Sequence, residues 1–290
     1  MPVSTSSVAI HPQAAIPRPL ITIRPVSGWA SPNLREVWVF RDLLFTLAGR
    51  DLKVRYKQTA LGVLWVILQP LLAAGVFSFV FGAVAGLPSD GVPYLAFSFA
   101  GLLGWNFFSN LLNKVSSCLV GNSNLISKVF FPRLVLPLSG LGSCLVDFVV
   151  GLVVMAALLV FYRIAPTVSA LWLFPAGVLV LAALATGVGL WTAALMVSYR
   201  DVAYILPVAL NILLYASPVA YSVAAVPARL RWVYLLNPLT PPLEAMRNGL
   251  LGLPTGDVRL LALSALVSVV VLVAGMYAFK RMERSFADVI

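Results

Sequence analysis

The sequence predicts an all-α membrane protein with six transmembrane helices, and three observations carry that expectation. Hydrophobic residues fill 61% of the 290 positions and charged residues only 10%, and the mean hydropathy of +0.97 lies outside the range of soluble domains. Long apolar stretches recur along the chain, each able to supply the ~20 residues a helix needs to cross a bilayer. The basic residues sort to one side of those stretches. A net charge of +10 is then the positive-inside signature of a membrane protein, and nucleic acid is not an expected partner.

The first 33 residues hold Pro2, Pro12, Pro17, Pro19, Pro25 and Pro32 among many Ser and Ala, a composition that neither holds a helix nor builds a core. A flexible Pro-rich cytoplasmic tail is expected there. It does not read as a signal peptide, because no basic segment precedes an unbroken apolar run. Residues 34–57 change to a helical period. Val37, Trp38, Leu44, Phe45 and Ala48 fall on one side, and Arg35, Asp42, Arg50 and Lys53 on the other. This predicts an amphipathic helix at the membrane interface, meeting anionic lipid or a cytoplasmic partner and broken at Gly49.

A six-helix transmembrane domain follows over residues 58–290, with spans at 61–85, 94–115, 136–161, 171–197, 204–223 and 260–279. With the N-terminus inside, Arg50, Lys53, Arg55, Lys57, Lys114, Lys128, Arg133, Arg200, Lys280 and Arg281 collect on the cytoplasmic side. Only Arg163, Arg229, Arg231, Arg247 and Arg259 stay outside, so both termini are expected in the cytoplasm. Gly82 and Gly86 form a small-xxx-small pair, and Gly101, Gly104, Gly140, Gly142, Gly187 and Gly189 add points where helices can approach closely. No inverted or tandem repeat is visible, which weakens the case for a repeat-built secondary transporter.

Two connections are too long for turns. The inner one, 116–132, predicts a short helix that Asn122 or Ser123 caps and Pro132 ends, lying along the cytoplasmic surface. The outer one, 225–257, predicts two helical pieces, 227–236 and 241–251. Pro stands near the start of each, Asn237-Pro238 closes the first and Gly252 follows the second. These read as re-entrant or surface helices, with Glu244 and Arg247 one turn apart and weakly paired.

Chemistry is conspicuous by what is missing. No GxxxxGK[ST] occurs and no Gly is followed by Lys, so nucleotide must bind elsewhere. Asp90, Glu244 and Asp257 are scattered without a shared motif, leaving no catalytic carboxylate pair for a membrane glycosyltransferase. His11 is the single histidine, so no His-based metal site can assemble. Cys118 and Cys144 fall near inner ends of spans, where a disulfide would not persist, and read as small packing residues. Asp147 is the acidic residue deep in a span. Two readings of it stay open, a carboxyl paired with a neighbouring helix or protonated, and a functional group.

Three stretches carry a family resemblance. They are Arg50-Asp51-Leu52-Lys53-Val54-Arg55-Tyr56 with Leu61-Gly62-Val63-Leu64-Trp65 and Gln69-Pro70, then Tyr199-Arg200-Asp201-Val202, then Leu236-Asn237-Pro238-Leu239. Together they resemble the ABC-2 type permeases of polysaccharide exporters, the Wzm-type O-antigen subunits most of all, with teichoic acid and capsule permeases as relatives. The likeness covers residue 34 to the C-terminus and leaves the tail outside. It implies an ABC-2 (type V exporter-like) fold in the bacterial inner membrane. It also implies a homodimer joined to two copies of an ATP-binding subunit, moving lipid-linked polysaccharide through a channel at the dimer interface. ATP and Mg would be held by the partner subunit and no cofactor by this chain.

By position, the resemblance implies an ATPase-docking face made of Arg50, Asp51 and Arg55 on the interface helix. The rest of that face would be Asn122, Asn124, Leu125, Lys128 and Phe130 on a coupling helix at 122–131, and Arg200 and Asp201 on the inner turn. It implies an outer gate at 227–251 containing Asn237, Pro238, Glu244 and Arg247. Phe77, Phe81, Tyr94, Trp105, Phe108, Tyr215 and Tyr221 are the aromatics taken to line a channel, where ring faces stack on sugars without binding one tightly. The rivals are a small-lipid or drug exporter of the same class, a proton-coupled transporter using Asp147 and Lys114, and a membrane sugar transferase.

Overall fold

A computed structural model of the chain describes residues 34–57, 62–254 and 256–289. The Pro-rich tail and the start of the Leu61-Gly62 stretch lie outside the described residues, as does the side chain of Arg55. Every long regular element among them is a helix. In chain order these are α1 (Leu34–Val39), α2 (Arg41–Lys57), α3 (Gly62–Phe77, continued by a π-helix over Ser78–Val84), α4 (Tyr94–Gly121), α5 (Ser123–Lys128), α6 (Val135–Tyr162), α7 (Ala170–Ser198), α8 (Val202–Ala216), α9 (Ala228–Leu236), α10 (Thr240–Leu251) and α11 (Val258–Val289).

Five helical stretches are long and apolar enough to cross a bilayer: Leu64–Val84, Tyr94–Gly121, Val135–Tyr162, Ala170–Ser198 and Val258–Glu283. The chain is therefore a multi-pass membrane protein. The fifth predicted span differs. It is the 15-residue α8, about 22 Å long at 1.5 Å per residue, and short of the ~30 Å hydrocarbon core. The last seven residues of the predicted span, from Ser217 on, lie outside α8 in turns.

Other boundaries moved for local reasons. The helical interior continues through Gly49, and the break falls at Phe40 between α1 and α2. α4 runs to Gly121 because Ser116 and Ser117 donate back to the carbonyls of Leu112 and Asn113 at 2.6 and 2.9 Å, which satisfies their hydroxyls without leaving the helix. α5 stops at Lys128, where Val129 is already extended, well before Pro132. Gly86 makes no helix contact. It sits at φ +63 with open space beside it, a turn glycine rather than half of a packing pair.

The other glycines expected to mark close approach are contact points, as lipid-solvated helices require when no hydrophobic drive exists between them. A Cβ at Gly187 would stand 2.7 Å from Leu272 backbone, and one at Gly275 would strike the Gly187 carbonyl, so α7 and α11 cross backbone to backbone. A Cβ at Gly189 would meet Val115 at 2.6 Å and one at Gly151 would meet Leu103 at 2.8 Å, fixing α4 against α7 and α6. α4 is consequently the hub, with Phe97, Phe99, Leu111 and Leu119 fully buried, whereas α3 buries only Ala74 among its described side chains. The bundle has a basic end, carrying Arg50, Lys114, Lys128 and Arg200, and an opposite end where α9 and α10 lie.

Candidate functional site

At the basic end α2 lies against the first turns of α6. A Cβ at Gly142 would approach Ala48 Cβ to 3.1 Å, and Leu47 and Ala48 are buried there. This seats the next turn of α2 beside α4. The Asp51 carboxylate accepts from Arg50 Nη2 at 3.0 Å through Oδ1, and pairs with Lys114 Nζ at 3.0 Å through Oδ2. Arg50 Nη2 also donates to Asn122 Oδ1 at 2.8 Å, and Asn122 Nδ2 donates to the Cys118 carbonyl at 2.9 Å. The Lys114 stem passes over Gly140, where a Cβ would stand 2.8 Å from its Cγ. Partial burial raises the Asp51 pKa, but the hydrogen bonds and charges of Lys114 and Arg50 outweigh it and hold the carboxyl below its ordinary range.

Of the two expected caps of α5, Asn122 and Ser123, Asn122 takes the N-cap position. Its side chain makes no cap hydrogen bond, because its amide is spent joining α2 to the end of α4. α5 hangs from this knot with no buried residue. Asn124, Lys128 and Phe130 are exposed, Phe130 by 69%, while Leu125 is half-buried and Phe131 is buried as the anchor of the following turn. Arg133 Nη1 donates to the Glu283 carbonyl at 2.6 Å and ties that turn to α11. Arg200 and Asp201 are exposed on the α7–α8 turn at the same end. Lys114 and Arg133 were not singled out for this face. Their signal was a base at the end of an apolar span.

At the opposite end α10 is not a surface helix. A Cβ at Gly104 would stand 2.8 Å from Leu243, and one at Gly177 would stand 2.6 Å from Met246. Gly104 lies ten residues into α4, about 15 Å along it, so α10 is inserted between α4 and α7. Arg247 is accordingly 1% exposed. Its Nη1 donates to the carbonyls of Pro218 and Tyr221 at 2.7 and 3.3 Å, its guanidinium carbon lies 4.2 Å from the Phe97 ring centroid, and Nη2 stands 3.7 Å from Glu244. The expected weak pair is thus centred on a buried cation held mainly by carbonyls and a ring face.

Those carbonyls belong to the non-helical segment 217–222, which is gripped from several sides. Tyr94 Oη donates to the Ala220 carbonyl at 2.5 Å, and a Cβ at Gly101 would strike the Val219 carbonyl. Asn237 Nδ2 donates to Ser217 Oγ at 3.0 Å, its Oδ1 accepts from the Leu239 amide at 3.0 Å, and Ser264 Oγ donates to the Pro238 carbonyl at 2.5 Å. Tyr221 donates to the Tyr215 carbonyl at 2.6 Å, and its oxygen lies 2.8 Å from that of Tyr234, which is then the donor to it. Tyr94, Tyr215, Asn237 and Arg247 therefore converge on one segment that includes Tyr221, with Glu244 beside Arg247 and Pro238 held by Ser264. Phe97, under the Arg247 guanidinium, and Ser264, on the Pro238 carbonyl, complete the set, and Ser264 gave no signal in the sequence.

The aromatics read as channel lining divide. Trp105 and Phe108 are packed together with centroids 5.9 Å apart and are 5% and 2% exposed. They are interior packing, a correction that follows from α4 being the hub. Phe77 and Phe81 meet edge to face at 5.4 Å on the half-buried side of α3, and Tyr215 remains exposed on α8. Among the described residues no three His, Cys, Asp or Glu side chains group as a metal site requires.

Comparison with known proteins gives a consistent result. The model of the family described as ABC-2 type transporter matches residues 42–251, which run from α2 through the last residue of α10. An "O-antigen export system permease protein RfbA" of Myxococcus xanthus is 31% identical over 257 residues, covering 88% of this chain and 98% of that protein. A protein of the same name from Klebsiella pneumoniae is 26% identical over 249 residues, covering 86% and 95%.

Proposed function

The chain belongs to the ABC-2 type transporter family, and on that premise we propose that it is the membrane permease subunit of an ATP-driven exporter of lipid-linked, O-antigen-like polysaccharide. The observation that carries the reading is the nearly full-length match to permeases named for O-antigen export. In this reading two copies of the chain join two copies of an ATP-binding subunit in the bacterial inner membrane, with both termini cytoplasmic. The basic end then faces the ATPase and 217–251 faces outward. The partner supplies the nucleotide site and its magnesium.

Geometry supports a specific division of labour. α5 and the extended stretch after it offer Asn124, Lys128 and Phe130 to a partner, and α5 buries none of itself, as a coupling helix must. α4 joins both working parts: Lys114 and the following Asn122 at one end and Tyr94, Phe97 and Gly101 at the other. A rigid helix of 28 residues, about 42 Å long, can convey a push on α5 to the grip on 217–222 as one body. The deletion strain tests the function directly. Loss of surface polysaccharide with lipid-linked polymer accumulating inside, restored by this chain, is the expected phenotype. Unchanged surface polymer overturns the proposal.

A further inference from the structure

α9 (Ala228–Leu236) buries no residue, although the next helix, α10, buries nine of its twelve. Two contacts fix which way it faces. Tyr234 Oη lies 2.8 Å from Tyr221 Oη, and Leu235 lines a small cavity together with Leu173, Leu260 and Leu261, so these side chains mark the side turned to the protein. At about 100° per residue, Arg229, Trp232, Val233 and Leu236 fall on the side turned away. All four are exposed, Trp232 by 62% and Leu236 by 68%.

The same cavity fixes the depth. α7 has 29 residues, about 43 Å of helix against a ~30 Å hydrocarbon core, so each end projects about 7 Å among headgroups. Leu173 stands three residues into α7 and Leu261 three into α11, about 4.5 Å along each. Leu235 is level with both, so α9 lies in the headgroup layer with its outward apolar side chains at the acyl boundary. Trp172, 79% exposed beside Leu173, adds a second indole at this level, as aromatic belts do. Charge then selects the ligand. α9 carries two exposed arginines, Arg229 and Arg231, and no acidic residue. The nearby carboxylates are engaged: Asp257 accepts from the Arg259 amide at 2.9 Å, and Glu244 faces Arg247 at 3.7 Å. A guanidinium takes a phosphate bidentately, while indole and aliphatic side chains beside it enter between acyl chains. A soluble partner would have to penetrate the headgroup layer to reach the same face.

We propose that α9 binds the phosphate of an anionic phospholipid through Arg229 and Arg231, with Trp232 and Leu236 seated between acyl chains. The assignment does not rest on the exporter reading, and its test needs neither ATPase nor polymer. The full chain is placed in nanodiscs of phosphatidylcholine and phosphatidylglycerol, one lipid or the other carrying a diazirine at the top of an acyl chain, and crosslinks are mapped by peptide mass spectrometry. The uncharged stretch Leu64–Val84 is the internal reference. Relative to it, 229–236 should crosslink phosphatidylglycerol at least fivefold better than phosphatidylcholine, since each arginine at an anionic surface contributes about fivefold. Arg229→Gln with Arg231→Gln should remove the preference, and the corresponding pair of lysines should keep most of it. Both side chains are exposed, so melting in detergent stays unchanged. Trp232→Ser should cut crosslinking of both lipids several-fold and leave their ratio alone. Equal labelling of α9 by the two lipids, or a preference that survives the glutamines, overturns the proposal. So does loss of the preference on adding inorganic phosphate, which marks a free-anion site, or crosslinking of 229–236 to a second copy of the chain in place of lipid.

Discussion

Arg247 is where a single substitution should cost most. Its charge is desolvated and matched by two carbonyls, a phenyl face and a carboxylate 3.7 Å away. Removing such a partner strands the others, which typically costs about 3–5 kcal/mol. Arg247→Ala should therefore lower the apparent melting temperature in detergent sharply. Arg247→Lys should recover only part, because an ammonium cannot reach two carbonyls and a ring in one plane. Equal melting of all three proteins would contradict the assigned contacts. Asp51 lies at the other extreme. Lys114 and Arg50 are 39% and 47% exposed, so Asp51→Asn should cost no more than about 1 kcal/mol. Its folded pKa is lowered, so its contribution is complete above the ordinary carboxylate range and fades only as pH falls below it. The hydrogen-exchange protection of α2, corrected for the intrinsic pH dependence of exchange, should be unchanged from pH 7 to about pH 5 and fall in stronger acid. A loss of protection centred near neutrality would contradict the pairing.

At the scale of elements, α5 and the segment 217–222 are the parts with work to do. Phe130→Asp or Asn124→Arg should leave the protein in the membrane, melting normally, yet abolish copurification with the ATP-binding subunit and export. Normal export by both variants would remove α5 from the docking face. Gly101→Ala forces a Cβ into the Val219 carbonyl, and overpacking of this kind costs about 1–3 kcal/mol. The expected result is retained ATP hydrolysis with reduced export, measured on the reconstituted complex. Short-range signals made much of this legible. Pro227, Asn237 and Gly252 stand at helix ends in sequence and in structure alike, because capping chemistry is local. The depth of α10 was not legible, since it depends on Gly104 and Gly177, more than sixty residues away, receiving Leu243 and Met246. The burial of Trp105 and Phe108 escaped for the same reason. The span at 204–223 misled because Ser217 to Tyr221 is apolar enough for lipid yet turns out of the helix, tied to Asn237, Tyr94 and Arg247 instead.

For the whole molecule, composition alone announced a helical membrane protein, because lipid allows apolar chains few other solutions. What composition could not supply was the choice of hub. Gly101, Gly104 and the seats of Gly151 and Gly189 give α4 neighbours on every side, so one helix joins the Asp51 knot to the Arg247 knot. The central claim is that this scaffold works as the permease of an ATP-driven polysaccharide exporter. The most direct measurement is to coexpress the chain with an ABC ATP-binding subunit from the same gene cluster, reconstitute the product in nanodiscs and follow ATP hydrolysis as lipid-linked polysaccharide is added. The account predicts a stable complex with two copies of each subunit, whose hydrolysis changes several-fold with the polymer. A chain that purifies alone and moves solute down a proton gradient, with no ATPase bound, would contradict it.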